Sequence, residues 1–275
     1  YIYIMLDIKK VYIDTRFKTA DSQSDCDFFI ELPRSFNVPE NTVCYLTDVV
    51  IPVSWSSKDA RNNNFYIYIE RGGEKFYKNI ALAEMNYDGV KFAAALQEAM
   101  HTALIGITSF DVVDDLNDNM IAIEQRDHFE VNAMMICGAD LVVGSLWNVA
   151  IPKGQINSLN GVLRIGKTSY EFQQGVSYTA YVDLHTTRNL YITSSSLASY
   201  NIISNFENDV IIKNIAVTAG YSQMLFDSAD AGYDFLDVSR RALSRIDFRL
   251  QDSYGNIVNL RKNHWSFSLV FQTRS

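Results

Sequence analysis

Hydrophobic positions recur mostly at every second residue, most clearly near the C-terminal end of the chain. Ile246, Phe248 and Leu250 alternate with Asp247, Arg249 and Gln251, the period of a half-buried strand. Asp252-Ser253-Tyr254-Gly255-Asn256 has turn chemistry, and Ile257, Val258 and Leu260 are expected to begin a return strand. A last strand places Trp265, Phe267, Leu269 and Phe271 on one face and Ser266, Ser268, Val270 and Gln272 on the other. So apolar a terminal strand is expected to lie locked in an antiparallel sheet.

The same period extends through most of the chain. Lys10–Asp14, Phe28–Leu32 and Thr42–Ile51 are predicted strands, followed by Phe65–Glu70 and Lys75–Leu82 across an Arg71-Gly72-Gly73-Glu74 turn. One segment departs from it. Val90, Ala93, Ala94, Leu96 or Gln97, Met100 and Leu104 fall near helical spacing, with Asp88 as N-cap and Gly106 beyond the end. Phe110–Val113 and Met120–Glu124 then predict a hairpin, and Phe129–Asn132 a further strand. The stretch 133–174 has no clear period, with loop-like composition at Ile151–Gly154 and Asn157–Gly161. Strands resume at Tyr178–Leu184, Asn189–Thr193, Val210–Val217 and Met224–Asp227. About fifteen short strands and one helix, without βαβ alternation, predict an all-β antiparallel sandwich or jelly roll.

Composition supports a packed β protein. Aromatic residues make up 13% of the 275, with 16 Tyr and 16 Phe, and only 4 Pro and 13 Gly interrupt them. No apolar run reaches the roughly 18 residues of a membrane helix, so a soluble chain is expected. The apolar start Tyr1–Leu6 lacks the basic flank and cleavage site of a signal peptide. It also lacks an initiator Met, so the natural chain is expected to begin earlier.

Charge is unevenly distributed. The net charge is −8, but residues 1–238 hold 17 Lys and Arg against 30 Asp and Glu, whereas 239–275 hold 7 against 2. Arg240, Arg241, Arg245 and Arg249, with Arg261, Lys262 and Arg274, thus put a net charge of +5 on the end of a body of net charge −13. Two readings follow: a solvated strand face, or a patch directed at an acidic neighbour or packaged nucleic acid. Arg240, Arg241, Arg245 and Arg249 are the candidate assembly residues.

Residues for catalysis or metal binding are harder to find. Cys26, Cys44 and Cys137 are odd in number and widely spaced, consistent with reduced thiols. Asp111, Asp114, Asp115 and Asp118 are rich in oxygen but lack the spacing of a calcium loop, and suit a polar hairpin tip. His101, His128, His185 and His264 are scattered, and the His-x-His of a cupin-like metal enzyme is missing. Gly144-Ser145-Leu146-Trp147 lacks the second glycine of a nucleophile elbow, and there is no phosphate loop or dinucleotide fingerprint. The expectation is a non-enzyme with no catalytic residue, metal or cofactor. An alternative is a carbohydrate- or receptor-binding sandwich with Tyr178, Tyr181 and Tyr191 as a stacking platform.

Three stretches resemble one family. Tyr12–Thr19 leading through Ser22–Asp25 to Phe28–Leu32, with Val38–Tyr45 and Val50–Trp55, resembles the opening of jelly-roll capsid proteins of Polinton/Maverick elements, adintoviruses and virophages. Met85-Asn86-Tyr87-Asp88-Gly89 with its helix and hairpin is similar to an element recurring in them. So are Asn189–Ser194, Ile211–Ile215 and 233–271. Residues 133–178 have no counterpart. The resemblance implies a jelly-roll core at 1–59 plus 180–275 and an insertion at 60–179 with a helix over about 89–104. It implies a structural subunit located in the virion, assembled inside the host cell. Such capsids use a long double jelly-roll hexon-type protein and a shorter penton-type protein at five-fold vertices. The length of this chain favours the penton, as a homopentamer beside a neighbouring major capsid protein, with possible indirect contact with packaged DNA. A compact double jelly roll is the runner-up.

Overall fold

A computed structural model describes residues 8–56, 62–115, 120–127, 130–152, 155–185, 187–198, 211–228 and 235–274. Three strands come first: β1 (Ile8–Asp14), β2 (Asp27–Asn37) and β3 (Thr42–Pro52). The next stretch holds β4 (Asn64–Arg71), β5 (Glu74–Ala81), helix α1 (Gly89–Leu104), β6 (Phe110–Asp115), β7 (Met120–Gln125), β8 (Val131–Met135), a short α2 (Asn160–Leu163), β9 (Tyr170–Glu171) and β10 (Tyr178–Tyr181). The chain ends with β11 (Asn189–Thr193), β12 (Ile211–Ala216), β13 (Met224–Asp227), β14 (Leu236–Asp237), β15 (Ala242–Gln251) and β16 (Ser266–Thr273). It divides into two compact units, one of residues 1–55 with 187–275 and one of residues 56–186.

The first unit is a jelly roll. One sheet runs β1-β16-β3-β13, with β14 also on β3, and the other runs β12-β11-β15-β2. β13 and β14 pair with successive parts of β3, Val49–Pro52 and Val43–Cys44, and act as one interrupted strand. Numbered by order in the unit, the sheets read 1-8-3-6 and 5-4-7-2, all antiparallel, which is a jelly-roll winding. Pro33 falls on β2, an edge strand, where its missing N–H costs no ladder bond. Asp48, at φ 52, sits where β3 shifts register against β16, and Lys10 pairs with it at 2.6 Å.

The inward residues of both sheets make one core. Phe28 and Phe248 from one sheet meet Phe267 of β16 in the other and Trp265 just before it, with centroids 4.9–5.8 Å apart in tilted, edge-on or stacked contacts. The Trp265 indole N–H donates to the Asp25 carbonyl at 2.7 Å, so the ring is buried without an orphaned donor. The expected return strand Ile257–Leu260 is a connection instead, joined to β15 at an isolated Gln251–Ile257 bridge, where the Val258 amide donates to the Leu250 carbonyl at 3.0 Å. The Asp252 carboxylate accepts from the Tyr254 and Asn256 amides at 2.9 Å, so these donors go to a turn rather than to a ladder. Val258 and Leu260 are still buried from this connection.

The second unit has a different topology. Its sheets run β5-β4-β8-β9 and β10-β7-β6, and neighbours in sequence pair as hairpins: β4 with β5, β6 with β7 and β8 with β9. A second jelly roll would send most successive strands to opposite sheets, so the described strands do not form a double jelly roll. The core joins Phe65, Ile67 and Ile69 of β4 to Ile121 and Ile123 of β7 and to α1. The Asp88 carboxylate accepts from the Lys91 amide at 2.8 Å, the expected N-cap. The buried stripe is Phe92, Ala93, Leu96, Met100 and Leu104; Val90, 54% exposed, and Ala94, also exposed, are expected in the stripe but lie off the buried face, and Phe92 takes a place in it. Phe129, expected to open β8, lies outside the described residues, as does Val210 before β12.

Gln97 of α1 closes an edge. In the β6–β7 ladder Asp111 and Val113 face β7, so the backbone groups of Phe110 and Val112 point to the open side. The Gln97 side chain donates to the Phe110 carbonyl at 2.8 Å and accepts from the Val112 N–H at 2.5 Å. One amide thereby stands in for a neighbouring strand.

Candidate assembly interface

The outer face of the β12-β11-β15-β2 sheet carries much of the arginine set. Arg249 lies opposite Asp27 across β15 and β2, Asp247 opposite Phe29, and Arg245 opposite Glu31. Arg249 Nε sits 3.4 Å from Asp27 Oδ1. Arg245 forms an ion pair with Asp21 and lies 4.0 Å over the Phe29 ring. Arg240, in the left-handed region at φ 61, reaches Glu40 at 2.9 Å with both side chains largely exposed. Three of the four arginines therefore have carboxylate partners more than 190 positions away in sequence, which local charge counting cannot detect.

Arg241 has a different role. Its guanidinium donates to the carbonyls of Ser196 at 3.0 Å and Ala198. The same loop is held at its amides by Asp247, which accepts from Ser195 N and Oγ at 2.9 and 2.8 Å and from Ser196 N at 2.8 Å. Ser196 Oγ also donates to it. Asp247 is only 3% exposed, so the outward side of β15 is covered at this position, while Arg245 on the same side stays exposed. Burial alone would raise its carboxyl, but the Ser196 hydroxyl and the Ser195 and Ser196 donors together hold it below the ordinary carboxylate range. Gln251, expected on the polar face, is likewise buried, accepting from Thr193 Oγ1 at 2.8 Å.

The opposite sheet has the more open outer face. Ile8 and Tyr12 of β1 and Met224 and Phe226 of β13 point away from the core, with Tyr12 78% and Phe226 71% exposed. Between them Ser268 and Val270 of the central strand β16 are buried by their neighbours.

The residues considered for chemistry stay apart. Asp111 pairs with Arg126, while Asp118 and His128 lie outside the described residues. Among the described residues no three His, Cys, Asp or Glu side chains converge. His264 lies 3.5 Å from Asp25 and 3.3 Å from the Thr15 hydroxyl. Cys26, Cys44 and Cys137 are free and buried; burial pushes the Cys26 and Cys44 thiols up to about 12, which keeps them protonated. Tyr178 donates to the Leu163 carbonyl at 2.7 Å beside the second unit's core, Tyr181 is exposed on the other side of β10, and Tyr191 belongs to the first unit. Tyr178 and Tyr181 therefore do not share a face of β10. Tyr178 instead joins a ring cluster with Tyr170 and Phe172, and a second cluster, Tyr66, Tyr68, Tyr77 and Trp147 at 5.2–5.5 Å, likewise draws on stretch 133–174, which shows no period in sequence.

No protein-family model and no curated protein matches the chain. Solved structures do. The mavirus penton protein superposes with a TM-score of 0.55 at 10% identity, over 97% of this chain and 99% of that one. A chain of the Sputnik virophage structure superposes with a TM-score of 0.50 at 14% identity, over 97% and 98%. The fold resembles that of these virophage proteins, as the sequence resemblance implied, and the likeness extends over nearly the whole length of the chain, beyond what the sequence resemblance covered.

Proposed function

We propose that this chain is a structural subunit of a viral capsid, of the penton type, closing as a ring of five. The observation that carries the reading is the agreement in fold along the whole chain, insert included, with a penton protein of about equal length. The jelly-roll winding gives the reading its physical basis: two packed sheets make a rigid block whose outer faces and end loops are free for neighbours. A closed ring needs a heterologous contact, one patch on each side of the subunit. One candidate patch is the exposed apolar face around Tyr12 and Phe226. The other is the charged face of β15 and β2. There the arginines are matched by Asp21, Asp27 and Glu40, so the face offers alternating charge rather than a positive field, and suits a partner of alternating charge.

Virion location and a neighbouring major capsid protein belong to the same proposal, as does assembly inside the host cell. Contact with the packaged DNA enters the proposal only as an indirect one, because Arg240, Arg245 and Arg249 of the +5 segment are already paired with carboxylates within the chain. Native mass spectrometry of the purified protein tests the stoichiometry. Five copies are expected; trimers alone would overturn the penton assignment in favour of a hexon-type role.

A further inference from the structure

The connection between β1 and β2 and the segment between β15 and β16 enclose a cavity of about 440 Å³. That lies within the size range of sites for small ligands and short peptide segments. One wall is apolar, formed by Ile257, Val258 and Leu260, with Ile257 37% exposed. Lys18, Asp25 and Lys262 supply the charge. Lys18 Nζ rests on Asp25 Oδ1 at 2.6 Å, so these two cancel. Lys262 has no carboxylate partner among the described residues, and one positive charge remains at the cavity.

The lysine is also held in an unusual way. Arg261 and Lys262 both adopt left-handed backbone, φ 54 and 65, with no glycine in the turn. Asn263 secures it, its amide and Nδ2 donating to the Leu260 carbonyl at 3.0 and 2.9 Å. The Arg261 amide donates to Asn259 Oδ1 at 2.8 Å. Non-glycine residues keep this backbone only where the surroundings over-determine it, and such positions concentrate at binding sites. The turn fixes the backbone that carries Lys262, and an ammonium beside an apolar wall matches a ligand with a carboxylate next to an apolar side chain.

We propose that this cavity receives an extended peptide segment of a partner protein, its carboxylate on Lys262 and its apolar side chain against Ile257, Val258 and Leu260. Only the source of the segment, another protein of the particle, rests on the capsid reading; the site's chemistry does not.

The Trp265 indole donates to the Asp25 carbonyl beside the cavity, and the chain has three tryptophans in all, so indole NMR of the full chain gives a local reporter. The probes are acetyl-Leu-Glu-Leu-amide and its Gln analogue, with sodium phosphate as a bare anion. The Glu peptide is expected to shift the Trp265 signal saturably, with roughly ten-fold weaker binding of the Gln peptide, the loss of one charge-assisted contact. Lys262→Glu should abolish the response and Lys262→Arg should retain it, both with the unliganded spectrum unchanged. Equal response to both peptides, no saturable shift, or an unaltered Lys262→Glu titration would overturn the proposal. The same saturable shift with phosphate would reduce the cavity to an anion site and overturn the peptide assignment. Ring formation, read separately by mass, distinguishes failure of this site from failure of the capsid reading: five-fold rings without peptide binding would reject the site alone.

Discussion

Strands β15 and β6 solve one problem in opposite ways. Each exposes polar backbone or side-chain groups that must be covered, and each is covered by a single loop or helix. On β15 the cover comes from Ser194–Ala198, some fifty positions earlier in sequence, gripped by Asp247 at its amides and by Arg241 at its carbonyls. On β6 it comes from the preceding helix, whose Gln97 satisfies Phe110 and Val112 from fifteen positions or fewer. The distant solution needs charge and several donors to hold a loop in place. The local one needs a single neutral amide, because the helix is already fixed by its apolar stripe.

That difference orders the expected effects of substitution. Met100, fully buried in the helix stripe, is the most sensitive point. Met100→Asp places an unpaired carboxylate in the core and should cost more than about 5 kcal/mol, read as loss of soluble folded protein. A soluble variant with unchanged melting temperature would mean the stripe is not a core element.

Asp247→Ala comes next. It strands the Ser195 and Ser196 amides beneath a covered face and should cost about 3 kcal/mol, measured as a fall in denaturation midpoint. The same group sets a pH dependence. Its folded-state pKa is depressed, so its contribution is complete above the ordinary carboxylate value of 3.8 and is lost as pH falls through the lower folded value. Wild-type stability should therefore drop in strongly acidic solution by more than that of the Asp247→Asn variant. Equal acid sensitivity would show that the carboxylate is not what grips the loop.

Gln97→Leu is expected to be milder, about 1–3 kcal/mol, since it removes one amide from two partly buried backbone groups. Its signature is specific: faster hydrogen exchange at Val112 and concentration-dependent association through the reopened β6 edge. Unchanged exchange would assign the edge's closure to the helix body rather than to the amide. Arg240→Ser with Arg245→Ser should hardly alter monomer stability, because both pairs are exposed. It should weaken assembly, most visibly at low salt, where screening is small. Arg241 is excluded from that pair because its loss would release the 194–198 loop.

The comparison also explains what was legible in the sequence. Helix α1 could be found with its cap because Asp88, Lys91 and the apolar stripe are close neighbours. β11 and β13 matched their predicted bounds, and β16 its inward face, because alternation is a local signal. Covered outer faces were not legible. Asp247 looks like a solvent-facing residue until the 194–198 loop lands on it, and Gln251 until Thr193 of β11 and the Gly255 carbonyl reach it. The arginine set looks like a positive patch until Asp21, Asp27 and Glu40 arrive from the far end of the chain. Ile257–Leu260 has strand composition, but Asp252 turns the chain just before it by accepting from the Tyr254 and Asn256 amides, and the Leu260 carbonyl is taken by Asn263, so only the Val258 amide reaches β15. The stretch 133–174 has no clear period because β8 ends at Met135, and beyond it Ile136, Cys137, Leu141, Leu159, Val162 and Leu163 are buried from connections, turns and one short helix turn.

The capsid reading is tested most directly by electron cryo-microscopy of the assembled protein. The account predicts a closed ring with five-fold symmetry built from the jelly-roll unit. Three-fold particles, or a chain that stays monomeric at every concentration and salt examined, would contradict it.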